Sequence, residues 1–156
     1  MDRLEGTLAA LSAGLANPAL TPVQAALGVL GQELGAMTGW LAAQEDDTQA
    51  REAVRRFGDL IRATPALRAY QADMTDQAAS AAAGILAARA GTTADDPEPQ
   101  IAARALLGLW RVQADSLRRH LDRAATPASL HEQVTADVSS AALLLDRGLR
   151  TYAAPA

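Results

Sequence analysis

"TPVQAALGVLGQELGAMTGWLAA", residues 21–43, decides the fold class. Val23, Leu27, Leu30, Leu34, Met37 and Leu41 recur at alternating steps of four and three, which gathers them into one stripe of an α-helix. Thr21 before Pro22 is a start signal, since a threonine oxygen can accept an orphan first-turn amide and proline loses nothing at the first helical position. A helix over 22–43 follows. The same stretch places Gly28, Gly31, Gly35 and Gly39 inside that helix, each less favourable than alanine by about 0.8–1.0 kcal/mol. Gly31, Gly35 and Gly39 share a face, so either a neighbouring backbone packs close there or space is kept for a guest.

Helical patterns extend to both sides. Leu4, Leu8, Leu11 and Leu15 mark a first helix over 2–16, closed by "NPALTP". "QEDDTQ" opens a third, with Ala50, Val54, Phe57 and Ile61 expected inward and Glu52, Arg55, Arg56, Asp59 and Arg62 in water. It stops before Pro65, because a residue preceding proline is pushed out of the α region. The fourth, over 65–90, carries Leu67, Tyr70, Met74, Ala78, Ala81 and Ile85 on one side and ends at Gly91, a candidate left-handed cap. After the acidic linker "GTTADDPEP" come two more helices, 98–122 and 129–152. The expectation is all-α: one domain over 1–156, a six-helix orthogonal bundle whose terminal pair spans 96–152.

Bulk composition narrows the function. With 49% hydrophobic residues the chain can bury a real core, and fourteen basic residues, all arginine, face eighteen acidic ones for a net charge of -4. That balance gives no general attraction to nucleic-acid phosphates or anionic lipid. The absence of cysteine removes disulfides, thiolate metal sites and cysteine nucleophiles. No apolar run approaches the roughly 20 residues of a membrane span, and Asp2 and Glu5 stand where a signal peptide would be positive. A soluble, cytoplasmic protein without membrane attachment is expected. His120 and His131 are the only histidines, and no Glu-x-x-His pair, nucleophile elbow or phosphate loop occurs. No enzyme, catalytic residue, metal site or cofactor is therefore expected.

"GLWRVQADSLRRH", residues 108–120, holds four basic side chains and a tryptophan. At 100° per residue Ala102, Leu106, Leu109, Trp110, Gln113, Leu117 and Leu121 fall on one broad face, opposite Arg104, Arg111, Asp115 and Arg118. Asp115 offsets the neighbouring arginines, which argues against a DNA-reading helix. The charged face is either solvated surface or the rim of an interface. Gln113, set among leucines, needs a partner on another helix or on a ligand. Met37, Trp40, Tyr70, Met74, Leu106 and Trp110 with Gln113 outline a candidate apolar ligand site, although aromatic and methionine residues at such spacing also make plain core.

In order and spacing, "RRFGDLIRATPALRAY" (55–70), "PEPQIAARALLGLWRVQADSLRRHLD" (97–122) and "SLHEQVTADVSSAALLLDRGL" (129–149) resemble the C-terminal regulatory domain of actinobacterial TetR-family transcriptional regulators, over about residues 4–152. The resemblance implies a homodimer in which the last two helices pair with their copies as a four-helix interface, with Arg104, Arg111, Arg118, Leu143, Leu144 and Arg147 at the seam or its rim. It implies a pocket for a small, mostly apolar effector among helices two, four and five, and a repressor role. In such regulators DNA is read by a preceding helix-turn-helix of roughly 50 residues. "MDRLEGTLAAL" already reads as the helix that follows that head, so DNA contact is expected only through a part outside this sequence. The alternative is a stand-alone amphipathic helical protein with a structural or interaction role.

Overall fold

The computed structural model describes residues 3–152. Six helices follow one another: α1 (Arg3–Ala16), α2 (Pro22–Ala42), α3 (Asp47–Ala63), α4 (Pro65–Ala90), α5 (Pro97–His120) and α6 (Pro127–Gly148), then a 3₁₀ turn, Arg150–Tyr152. No strand occurs among the described residues, so the protein is all-α. Met1, Asp2 and residues 153–156 lie outside the description, as do the side chains of Arg3, Leu4 and Thr151. The last helix ends earlier than its apolar pattern suggested, because the chain tightens into the 3₁₀ turn after Gly148.

Local chemistry explains the boundaries. Four of the helices open with a proline at the first position, where its missing N–H would find no partner anyway. Thr21 and Gln24 form a reciprocal capping box at α2, with bonds of 3.1 and 2.9 Å, and Thr126 with Ser129 repeats the device at α6. The Asp46 carboxylate accepts from Thr48 and Gln49 to start α3. Gly91 ends α4 with φ at 70°, a left-handed conformation that disfavours a side chain.

α2 runs through the centre, against α1, α5 and α6, while α4 lies on α5 and α1. Leu11, Leu15, Leu30, Leu34, Leu41, Leu86, Leu106, Leu109, Leu130 and Val134 fill the space between them. α4 buries Ala78, Ala79, Ala82, Ala83, Leu86 and Ala87, and α5 answers with Ala102 and Ala103, small side chains that let the two axes approach. Ala81, expected on the inner stripe of α4, is exposed because the buried face is centred on these other positions. α2 and α4 both rest on α5 and hardly touch each other.

One of the two readings of the α2 glycines is excluded, and one expectation about α3 is corrected. A Cβ built at Gly28, Gly31, Gly35 or Gly39 would meet nothing within 4 Å, so no backbone packs against the α2 glycines. The close approach is at Gly14 of α1, where a Cβ would stand 3.1 Å from that of Ala25. On α3 Ala50, Val54 and Ile61 do face inward, joined by Arg51 and Gly58, but Phe57 is 65% exposed. Arg51 turns the helix: its buried guanidinium donates to the carbonyls of Leu121 and Ala124 and to Asp47. Carbonyls at the end of α5 lack amide partners within their own helix, and leaving such groups unpaired when buried costs about 1–3 kcal/mol each. Arg89 does similar work at the other end, donating to the carbonyls of Leu15, Leu20 and Tyr152.

Candidate functional site

Three helices meet at one carboxylate. Glu33 on α2 accepts from the Trp110 indole N–H of α5 at 3.1 Å and from the Thr7 hydroxyl of α1 at 2.6 Å. One turn along α5, the Gln113 amide donates to the carbonyl of Leu30 at 3.1 Å. The partner of that half-buried amide is thus the α2 backbone, one of the two possibilities its leucine-rich setting left open. Leu106 lies beneath both, wholly buried.

From Glu33 the same face of α2 continues through Met37, half-buried, to Trp40, 47% exposed. On α4, Met74 is half-buried and Tyr70 is 52% exposed. The expected ligand residues divide into two kinds. Leu106, Trp110 and Gln113 of α5 are fixed by packing or hydrogen bonds, whereas Met37, Trp40, Tyr70 and Met74 on α2 and α4 are half-buried or exposed. Glu33 was not foreseen. Its signal was present, since it is the only charged residue of α2.

A separate open cleft of about 800 Å³ lies where α3 meets the α5–α6 turn, lined by Asp47, Arg51, Glu52, Arg55, Asp122 and Ala124. Its charges are mutually engaged: Arg51 with Asp47, and Arg55 with both Glu52 and Asp122. That is a structural anchor.

The α5–α6 pair has its own outer surface. Leu143 is 54% exposed and Leu144 72%, while Leu130, Val134 and Val138 on the same helix are buried. On α5, Ile101 is 66% exposed, an apolar residue the sequence reading passed over. Arg104, Arg111, Arg118 and Arg147 are exposed. Arg104 donates to Gln100, and Arg111 and Arg118 flank Asp115 at 2.9 and 3.6 Å. The Arg111 hydrogen bond holds the Asp115 carboxyl below the ordinary carboxylate range.

Within the pair, Asp137 of α6 accepts from Ser116 at 2.7 Å and from His120 at 3.0 Å, with Arg119 at 3.5 Å. These bonds, Ser116 first, lower the carboxyl from its usual value. His131 meets Thr38 of α2 at 3.3 Å. Both histidines therefore join helices, and no cluster of three or more metal-ligating side chains exists among the described residues. No described helix is long and apolar enough to cross a membrane.

The model of the MftR C-terminal domain, a TetR-type family, matches residues 44–154, from the turn before α3 to two residues beyond the 3₁₀ turn. The chain belongs to the MftR C-terminal domain family. No curated protein and no solved structure matches it. Membership of the MftR-type domains supports a ligand-binding and dimerising role within a transcriptional regulator.

Proposed function

We propose that this chain is the ligand-sensing and dimerisation domain of a TetR-family transcriptional repressor, cytoplasmic, non-enzymatic and homodimeric. The observation that carries the reading is the double duty of α5. One side of it ties Trp110 and Gln113 to α2, and another leaves Ile101 bare, as Leu143 and Leu144 are bare on α6. A ligand that moves α5 thereby alters a surface that a second copy covers, which is the coupling a sensor requires. The effector is small and mostly apolar, bounded by Met37, Trp40, Tyr70 and Met74 over Leu106, Trp110 and Gln113. Leu143 and Leu144 form the apolar part of the seam, and Arg104, Arg111, Arg118 and Arg147 its rim. Operator DNA would be read by a helix-turn-helix outside the helices described here.

Thermal-shift screening against apolar metabolites tests this. An effector at a hundred times its dissociation constant adds about 2.7 kcal/mol of apparent stability, a rise of roughly 5–10 °C. The shift is expected to vanish in Trp110→Ala and Gln113→Ala. The exposed Phe57 and Leu60 favour a second reading, an amphipathic helical interaction protein. That reading predicts binding of hydrophobic dyes with no ligand response.

A further inference from the structure

One cation joins the turn after α6 to the end of α1. The half-buried guanidinium of Arg89, in the last turn of α4, donates to the carbonyls of Leu15 at 3.0 Å, Leu20 at 2.8 Å and Tyr152 at 3.2 Å. Leu15 lies in the last turn of α1, where carbonyls find no amide within their own helix, and Leu20 lies in the loop that follows. The 3₁₀ turn Arg150–Tyr152 therefore shares its clasp with α1.

That turn is closed at a cost. Tyr152 is 4% exposed and packs into the core, while Arg150 is exposed. Its hydroxyl is the only buried side-chain nitrogen or oxygen without a hydrogen-bond partner among the described residues. Burial, and then the charge of Glu98, push this phenol above its ordinary pKa, so it stays a neutral donor. A buried donor without an acceptor opposes the closed arrangement, because the same hydroxyl finds water as soon as the turn lifts.

We infer that Arg150–Tyr152 is a strap poised to open, with Arg89 the clasp through which its opening loosens the end of α1. This goes beyond the sensor reading and does not need it. α6, which carries the bare Leu143 and Leu144, runs through Leu149 directly into the strap, so a copy seated on α6 would bear on α1 by this route.

Hydrogen–deuterium exchange of the full chain, read by mass spectrometry at one protein concentration, tests the strap. The amides of residues 11–16 are expected to exchange at least about tenfold faster than the buried amides of α2 and α5, as a unit that opens without global unfolding. Tyr152→Phe keeps the ring and removes the orphan hydroxyl, so it should slow residues 11–16 by about threefold or more. In an Arg89→Gln background, whose thermal melt reports whether the fold is intact, Tyr152→Phe should no longer alter these amides. Exchange at the end of α1 that is no faster than in α2 and α5, or no slower in Tyr152→Phe, overturns the strap. A Tyr152→Phe effect that survives Arg89→Gln overturns the clasp. These outcomes are the same for one chain or two, so failure of the strap is distinguishable from failure of the dimer.

Discussion

The indole N–H of Trp110 donates to the Glu33 carboxylate at 3.1 Å, so α5 is tied to a charge that also holds α1 through Thr7. Removing that donor leaves a half-buried carboxylate oxygen short of a partner and a gap where the larger ring stood. Trp110→Phe is expected to destabilise the protein by roughly 1–3 kcal/mol, read as a lower urea midpoint with an unchanged slope. An unchanged midpoint would mean that the bond contributes nothing.

Asp137 gives the α5–α6 pair an acid-sensitive tie. Its native carboxyl sits below the unfolded value because Ser116 and His120 donate to it and Arg119 lies near. A lowered native pKa means that folding favours the ionised form. The contribution is complete above the unfolded carboxylate value of about 3.9 and fades as pH falls through the lower native one. Thermal melts between pH 6 and pH 3 should therefore show a steeper loss in the native protein than in Asp137→Asn. Parallel curves for the two would remove Asp137 from the account.

The glycines of α1 and α2 should respond with opposite sign. Gly31→Ala adds a methyl where nothing lies within 4 Å, and the gain in helix propensity is about 0.8–1.0 kcal/mol. Gly14→Ala forces a Cβ to within 3.1 Å of the buried Ala25, whose backbone is itself only 3.5 Å away and cannot yield without moving α2. The first substitution should raise the melting temperature and the second lower it. Two increases would show that the α1–α2 contact is looser than its distances imply.

How much of this was legible in the sequence depended on whether the deciding partner was local. Helix starts were, because Thr21, Pro22, Pro65 and Gly91 act on neighbouring backbone; α4 begins and ends where Pro65 and Gly91 say it should. The orientation of α3 was not. Its apolar spacing pointed Phe57 inward, but the need of the Leu121 and Ala124 carbonyls for a donor put Arg51 there, and no pattern within α3 reveals the open end of a helix 70 residues away. Glu33 lay between these cases. A single charge in an otherwise uncharged helix was visible, yet its bonds to Thr7 and Trp110 depend on how α1 and α5 flank α2.

The account stands or falls on a second copy covering the outer face of α5 and α6. Light scattering during size-exclusion chromatography at tens of micromolar chain, where a contact of micromolar strength is mostly occupied, measures this most directly. The native protein should elute with the mass of two chains. Leu144→Glu should elute as one chain with nearly unaltered thermal stability, since that side chain is 72% exposed in the single molecule and surface changes usually stay within about 0.5 kcal/mol. A native protein with the mass of one chain, or a Leu144→Glu dimer as tight as the native one, would contradict it.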